Sequence, residues 1–294
     1  MYDEPEVIAR SAQELVGDLN PQQAEAVQYR GQALLIGAGA GSGKTRVLTR
    51  RIAWILSQFG AWPSQILAIT FTNKAAAEMR ERLGSLIGPV AQRMWVSTFH
   101  SACVRILRRD IDRLGFTSSF TIYDTADSER VIKDIVKDFN LDEKAFAPRS
   151  ILGYISRAKD AMKLGKDYLQ ECEKAGDYRL TKIAKVYVEY QRRLWEANAL
   201  DFDDIIFHTV TLLQQERSVL DYYQRKFRYV LVDEYQDTNH LQYLLTSLLA
   251  GGYKNLCVVG DDDQSIYRFR GATIENILSF ESQYKGCLLY TSDA

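Results

Sequence analysis

A glycine-rich segment near residue 40 ends in a lysine and a threonine. The segment is AGAGSGKT, residues 38–45, and it lies between an apolar run and a stretch with helical spacing. Small residues let backbone N–H groups close around phosphates, and the N-terminus of the next helix adds positive potential. This context predicts a triphosphate-binding loop rather than an ordinary strand-to-helix turn. The predicted loop residues are Ala38, which stands where the general motif has glycine, Gly39, Ala40, Gly41, Ser42, Gly43, Lys44 and Thr45.

Lys44 and Thr45 supply the chemistry of such a loop. The lysine ammonium can reach the β and γ oxygens, and the threonine hydroxyl can ligate Mg²⁺. An acidic partner follows a second apolar run in YVLVDEYQD, residues 229–237. Asp233 can hold Mg²⁺ through a water, and Glu234 can orient or deprotonate an attacking water. A solvated helix start is the alternative interpretation of this acidic segment.

The elements that position these residues are short apolar runs that end at small or polar residues. They cover residues 33–37, 66–72, 95–98, 229–233 and 256–260, and they predict buried parallel strands. Stretches of helical spacing at 46–59 and 74–83 alternate with the first three. The fold class is therefore α/β, with a parallel sheet and right-handed crossovers.

The middle of the chain has a different pattern. Helical spacing at 125–140, with Asp124 or Thr125 as N-cap, and at 182–198 replaces the strand runs. We predict a mostly helical insertion at 111–199 within one α/β domain that comprises 1–110 and 200–286. Arg157, Lys159, Lys163 and Lys166 suggest either phosphate contacts or, as the better interpretation, a solvated helix face.

Composition limits the function classes. Lys and Arg total 37 against 38 Asp and Glu, so any nucleic-acid site must be local rather than a global positive field. The sequence has no apolar run of membrane-spanning length, and its acidic start MYDEPEVIAR predicts a cytoplasmic protein. The four cysteines form no CxxC pair, so we predict packing thiols rather than zinc ligands or disulfides.

The motifs together resemble the superfamily 1 DNA helicases of the UvrD, Rep and PcrA type. AGAGSGKT, LVDEYQDTN and VVGDDDQSIYRFRGA are similar to motifs I, II and III of that family, and LNPQQAEAV to its Q motif. ILAITFTNKAAAEMRERL resembles motif Ia, VSTFHSACVRILRR motif Ib, and ALDFDDI the segment that returns from an inserted domain. The resemblance implies a RecA-like ATP-binding domain 1A with a helical domain 1B inserted into it.

The resemblance also implies roles at the nucleotide. Gln23 would recognise the adenine edge, and Arg46 would lie against the base. Gln264 would sense the γ-phosphate through an amide that can donate to an oxygen and reorient when that oxygen leaves. Arg270 would brace the same region. The implied cofactors are ATP and Mg²⁺, and the catalytic set is Lys44, Asp233, Glu234, Gln264 and Arg270.

For DNA, the resemblance points to aromatic, hydroxyl and amide groups at strand ends. Rings of this kind stack on single-stranded bases without sequence preference, at about 1–3 kcal/mol each. In isolation Phe71 and Phe99 are more often core residues and His100 a structural histidine. Phe269 stands where the family usually has Trp. The predicted set is Phe71, Thr72, Asn73, Thr98, Phe99, His100, Tyr267 and Phe269.

The resemblance implies an ATP-dependent 3′–5′ helicase that moves on single-stranded DNA and opens a duplex junction. We expect this chain to be a fragment with weak or no turnover, because the family has a second RecA-like half with catalytic arginines after it. We expect residues 287–294 to be a non-native tail, because they do not follow the family pattern. The alternatives are a nucleotide- and DNA-binding module without turnover, or the motor of a helicase–nuclease.

Overall fold

The computed structural model describes residues 6–39, 41, 43–261 and 288–292. The chain forms two compact units. One comprises Met1–Ala102 with Arg217–Ala294, and the other is Cys103–Glu216. The second unit is thus an insertion in sequence, and it is longer at both ends than the predicted 111–199. The helices and strands of each unit follow from its own pattern of apolar residues.

The first unit begins with two capped helices and then alternates strands and helices. Asn20 caps the second of these helices through its side chain, and Pro21 occupies the first helical position. The helices are α1 (Ala12–Val16), α2 (Pro21–Gln28), α3 (Lys44–Gln58), α4 (Asn73–Ile87), the start of α5 (Phe99–Asp110), α11 (Arg217–Lys226) and α12 (His240–Ala250). The strands are β1 (Ala33–Ala38), β2 (Ile66–Thr70), β3 (Trp95–Thr98), β6 (Tyr229–Val232), β7 (Leu256–Gly260) and β8 (Leu288–Ser292).

These strands form one parallel sheet in the order β3-β2-β6-β7-β1-β8. Every residue of β2 is buried, which explains why it is an uninterrupted apolar run ending in a threonine. Because all pairings are parallel, the carboxyl ends of the strands lie at one edge of the sheet. Residues after β1, β2, β3, β6 and β7 are therefore brought to a common edge, which is the usual ligand edge of open α/β sheets.

Helix α3 packs its apolar face against this sheet. Its buried residues include Leu48, Ile52 and Ile55, at helical spacing. Arg51 of the same helix is also buried, and its Nη1 donates to the backbone oxygens of Ala26, Val27 and Tyr29 at 2.9–3.1 Å. This side chain satisfies carbonyls at the end of α2, which would otherwise be left without helical partners.

The second unit is mostly helical. Its two short strands pair in parallel, Thr121 with Ala199 and Ile122 with Leu200. Its core is an apolar cluster that includes Ile132, Ile155 and Tyr187. The elements that follow α5 are β4 (Thr121–Ile122), α6 (Thr125–Asp138), α7 (Pro148–Asp160), α8 (Gly165–Ala175), α9 (Tyr178–Glu196), β5 (Ala199–Leu200) and α10 (Phe202–Gln215).

Lys159 of α7 does not lie on the surface, where the sequence had predicted it. Its side chain is 0% exposed, and its Nζ lies 2.8 Å from Asp201 Oδ2 and 2.8 Å from Asp204 Oδ1. Both the predicted solvated face and the phosphate contact are therefore wrong for Lys159. The residue is the cation of a buried ion cluster that includes the N-cap of α10.

Within the part of the chain that the structure describes, no helix combines the length and apolar character needed to cross a membrane. Cys103, Cys172 and Cys257 are buried there, as predicted for packing thiols. Cys287 lies outside the described residues.

Candidate nucleotide and nucleic-acid site

The loop between β1 and α3 contains two glycines whose conformation suits the predicted phosphate cradle. Gly41 and Gly43 both have φ +79°, a left-handed conformation that strains any residue with a Cβ. Gly43 is the N-cap of α3, and no side chain among the described residues caps it. The first-turn N–H groups of α3 are therefore available to an anion. Ala38 is the last residue of β1 and Gly39 follows it, whereas Ala40, Ser42 and the Ala38 side chain lie outside the described residues.

Lys44, the first residue of α3, faces an acidic group from a neighbouring strand. Its Nζ lies 3.9 Å from Asp261 Oδ2, and both side chains are largely buried. Asp261 follows β7, which pairs with β1, so the parallel register brings its carboxylate to the loop. The ammonium thus already lies where negative charge would be stabilised.

Asp233 and Glu234 follow β6 at the same edge. Asp233 is only 6% exposed, and it accepts a 2.8 Å hydrogen bond from the Glu234 backbone N–H. Burial raises the pKa of Asp233 to about 6; the hydrogen bond from the Glu234 N–H opposes the rise, the Glu234 charge adds to it, and Lys44 also opposes it. A buried carboxylate that is costly to ionise gains from a neighbouring cation.

Asp237, three residues after Glu234, is affected by the same charges at this edge of the sheet. Burial, reinforced by the charges of Glu234 and Asp261, raises the pKa of Asp237, and Lys44 opposes the rise. Glu234 itself has φ +51°, an uncommon conformation for a residue with a side chain, as occurs at functional turns. The carboxylates are therefore crowded around one ammonium.

Gln236 is a residue that the sequence analysis missed. Its Nε2 donates to Glu234 Oε2, and its Oε1 accepts a 3.1 Å hydrogen bond from the Asp261 backbone N–H. This side chain joins the segments after β6 and β7. Asp261 was missed as well, although its place as the first carboxylate after a buried strand is the same signal that identified Asp233. The role of Gln236 has no comparable signal in the sequence.

Two predicted base-contacting residues lie around the loop. A Cβ added to Gly43 would be 3.7 Å from Gln23 Nε2, so Gln23 adjoins the cradle. The Gln23 Oε1 also accepts a 3.2 Å hydrogen bond from the Asn20 backbone N–H. Arg46 forms an ion pair with Asp18, which Arg50 also contacts at 3.0 Å. The guanidinium of Arg46 is therefore held toward the N-terminal helices.

The donor set fits Mg²⁺ better than a metal bound wholly by protein. No group of three or more His, Cys, Asp or Glu side chains suited to a metal occurs in the described ranges. Mg²⁺ is usually held by one or two carboxylates, waters and substrate phosphates. A single buried Asp233 with a raised pKa, beside a phosphate cradle, has this character. Thr45, in the first turn of α3, offers the hydroxyl.

The predicted DNA residues after β2 and β3 lie together. The rings of Phe71 and Phe99 are 5.5 Å apart in an edge-on arrangement. Phe99 is only 2% exposed, whereas Phe71 is half-buried. In this structure, then, Phe99 belongs to the core and supports Phe71, and Phe71 is the ring with an accessible surface for a base.

The polar groups of this region likewise comprise exposed residues and buried ones. Thr72 and Asn73 are exposed, and the Thr72 hydroxyl accepts a 3.0 Å hydrogen bond from the Ala75 N–H at the start of α4. Thr98 is buried, and its hydroxyl accepts from the Ser101 N–H at 3.1 Å, which fixes the start of α5. His100 is exposed. The accessible members are therefore Thr72, Asn73 and His100.

Four predicted residues lie outside the described residues: Gln264, Tyr267, Phe269 and Arg270. The described part of the site thus comprises the cradle, its acidic partners and the aromatic pair. These groups come from five strands that end at one edge of the sheet.

Comparison with known proteins shows the family of this chain. The family described as UvrD/REP helicase N-terminal domain matches residues 19–285. ATP-dependent DNA helicase PcrA of Bacillus subtilis is 55% identical over 271 residues, which are 92% of this chain and 36% of that protein. Proteins of the same name from Staphylococcus aureus and Staphylococcus epidermidis are 55% identical over 270 residues. The chain spans about a third of the length of these curated relatives.

Proposed function

The chain belongs to the UvrD/REP helicase N-terminal domain family, and from that premise we propose that it is the ATP-binding part of an ATP-dependent 3′–5′ DNA helicase. In this proposal ATP hydrolysis drives movement along single-stranded DNA and the opening of a duplex junction. The observation that carries it is the shared sheet edge, where Lys44 and Asp233 lie after strands of the same sheet as Phe71.

At the nucleotide, the cradle binds the triphosphate through backbone N–H groups at the start of α3. Lys44 leaves Asp261 and pairs with the β and γ oxygens, because a phosphate carries more charge than one carboxylate. Gln23 contacts the adenine edge, and Arg46 lies against the base. The remaining proposed loop contacts are Ala38, Gly39, Ala40, Gly41, Ser42, Gly43 and Thr45.

The acidic groups have two roles, metal binding and activation of water. Thr45 and Asp233 would hold Mg²⁺, which when bound neutralises charge on the terminal phosphates. Glu234 orients or deprotonates the attacking water, and its backbone N–H donates a hydrogen bond to the neighbouring Asp233. Gln236 holds Glu234 through its amide nitrogen and so limits the directions that the carboxylate can take.

On the DNA side, we assign base stacking to Phe71 and backbone contacts to Thr72, Asn73 and His100. Phe99 and Thr98 keep this surface in place from beneath. Tyr267 and Phe269 would extend the stacking surface. Gln264 and Arg270 would couple the presence of the γ-phosphate to that surface. Stacking and hydroxyl contacts need no basic surface, which agrees with a net charge of -1.

Turnover and stepping require more than this part. A second RecA-like half would contribute arginines that neutralise the transition state, and such groups are worth about 10³–10⁵ in rate. Closure of two halves on ATP and their reopening after hydrolysis would move the strand. We therefore propose nucleotide binding for this chain and steady-state hydrolysis for the longer protein.

The test is a titration with a fluorescent ATP analogue and Mg²⁺. Lys44→Ala should abolish saturable binding, because the lysine carries the charge of the cradle. Lys185→Ala, which removes an exposed lysine of the other unit, should leave binding unchanged. In a chain extended by the second half, phosphate release should rise when single-stranded DNA is added. Normal Mg-ATP binding by Lys44→Ala, or turnover indifferent to DNA, would contradict the proposal.

A further inference from the structure

The short segment between α1 and α2, residues 17–20, contacts both residues that we assigned to the base of the nucleotide. The Asn20 N–H donates to Gln23 Oε1 at 3.2 Å. Asp18 forms an ion pair with Arg46. No motif of the sequence includes Asp18, so a role for this carboxylate follows from the structure alone.

Asp18 binds two arginines from one face of α3. Arg50 approaches the carboxylate with two N–H groups, Nη1 to Oδ1 at 3.0 Å and Nη2 to Oδ2 at 3.3 Å. Arg46, one helical turn earlier on the same face, donates from Nη2 to the same Oδ2. Desolvation raises the pKa of Asp18, but the hydrogen bonds and charges of the two arginines outweigh it and lower the pKa below its usual value. The carboxylate is therefore ionised at neutral pH and shared by both side chains.

Arg50 gives this carboxylate a fixed position. Its Nη1 also donates to the backbone oxygens of Glu14 and Leu15, at 3.0 and 2.9 Å, near the end of α1. The last carbonyls of a helix have no partner within it, so the Arg50 guanidinium satisfies two of them while it holds Asp18. The Arg50 side chain is only 17% exposed. Asp18 is therefore anchored to α1 and α3 by contacts that do not involve Arg46.

The anchored carboxylate restricts the guanidinium of Arg46. An exposed arginine samples many rotamers, and an isolated surface ion pair seldom selects one of them. Here the partner is fixed first, so the Arg46 Nη2 has a defined place. The N–H groups of a guanidinium lie in its plane, so the hydrogen bond to Asp18 uses an edge of Arg46 and not a face. Nucleic-acid bases stack on guanidinium faces of this kind.

We propose that Asp18 is a positioning residue for the nucleotide base, which orients the face of Arg46 for stacking. The proposal rests on the nucleotide-binding function proposed above. Because Asp18 is itself an anion, it contributes nothing favourable to the phosphates, and its effect reaches the nucleotide only through Arg46. Asp18 therefore contributes to the affinity for the base and not to the affinity for the triphosphate.

The experiment is isothermal titration calorimetry of the full 294-residue chain with Mg²⁺ and either ATP or inorganic tripolyphosphate, which has no base. Asp18→Asn keeps the size of the side chain but removes its charge and leaves one acceptor oxygen for two arginines. ATP should then bind roughly 3- to 10-fold more weakly, because Arg46 must be ordered on binding. The affinity for tripolyphosphate should not fall, which also shows that the cradle remains folded.

Glu14→Gln is the matched control. It makes the same change from carboxylate to amide on the neighbouring helix, where the Glu14 side chain pairs with Arg10 at 3.4 Å rather than with Arg46. Glutamine also serves at this position of a capping box, so α1 keeps its N-terminus. The affinity for ATP relative to tripolyphosphate should be unchanged. Equal changes of this ratio in Asp18→Asn and Glu14→Gln would overturn the proposal.

Arg46→Ala separates positioning from a structural role. This variant should itself bind ATP more weakly relative to tripolyphosphate, and adding Asp18→Asn should then have no further effect, since no guanidinium is left to orient. An additive loss in the double variant would overturn the proposal. So would an unchanged ratio in Asp18→Asn when Arg46→Ala lowers it, and in that case the base contact of Arg46 would stand. An unchanged ratio in Arg46→Ala would overturn both.

Discussion

Replacement of Lys159 by methionine should destabilise the helical unit strongly. The substitution keeps most of the side-chain volume but removes the ammonium that lies 2.8 Å from both Asp201 and Asp204. Tyr190 still donates to Asp201 at 2.7 Å and Gln191 to Asp204 at 3.2 Å, so hydrogen bonds remain while the compensating charge is lost. Two buried carboxylates are then left without a cation.

The expected loss of unfolding free energy follows from the burial of the Lys159 ion cluster. Breaking a buried ion pair by removal of one partner costs about 3–5 kcal/mol, because the remaining charge is desolvated. Lys163 provides a matched control, since its Nζ lies 2.6 Å from Glu171 Oε2 but the pair is exposed. Lys163→Met should cost at most about 1 kcal/mol, as is usual for a surface ion pair.

Urea denaturation followed by circular dichroism measures both variants against the wild type. The pH dependence adds a second test. Without Lys159 the carboxylates of Asp201 and Asp204 have folded-state pKa values above those in the unfolded chain. The loss of stability in Lys159→Met is therefore small at acid pH, where both carboxylates are protonated in the folded and unfolded states, and it grows as the pH rises. Equal losses for Lys159→Met and Lys163→Met, or a larger loss at acid pH, would refute the reasoning.

Three further predictions concern the first unit. Phe71→Ala should weaken oligo-dT binding, read by fluorescence anisotropy, by about 1–3 kcal/mol, with nucleotide affinity unchanged; parallel losses in both would contradict a stacking role. Because the pKa of Asp233 rises from 3.8 to about 6 on folding, the wild type without divalent cations should lose stability as the pH rises across that interval. Asp233→Asn should then be the more stable at pH 8, by up to about 3 kcal/mol in urea denaturation, and a destabilised variant would refute this. Arg51→Met leaves the carbonyls of Ala26, Val27 and Tyr29 unpaired, so the free energy of unfolding should fall by at least about 2 kcal/mol; an unchanged melting temperature would count against this role.

Five of the six strands were predictable because they are buried, whereas β8 lies in the segment that was predicted to be a non-native tail. A fully buried parallel strand is an uninterrupted apolar run, so β3 and β7 have the predicted limits, and β2 and β6 end slightly earlier than predicted. Helix α3 starts at Lys44, two residues before the predicted stretch, because Gly43 serves as its N-cap. Strands β4 and β5 were not predictable, since two-residue pairs carry no periodic signal.

The candidate site was predictable where chemistry is local in sequence. The cradle and Asp233 each occupy one short motif that follows a strand, so residue type and context identify them. The Lys44–Asp261 pair joins residues that only the sheet register brings together. The burial of Lys159 could not be predicted for the same reason. Its charge predicted a position on the surface, whereas its two carboxylate partners are 42 and 45 residues away in sequence.

The most direct test of a shared nucleotide and DNA edge is a crystal structure with a non-hydrolysable ATP analogue, Mg²⁺ and oligo-dT. We predict that Lys44 Nζ leaves Asp261 for the terminal phosphates, while a base stacks on Phe71 at the same carboxyl edge of the sheet. Phosphates bound away from the start of α3, or a strand bound on a face of the protein remote from Phe71, would contradict it.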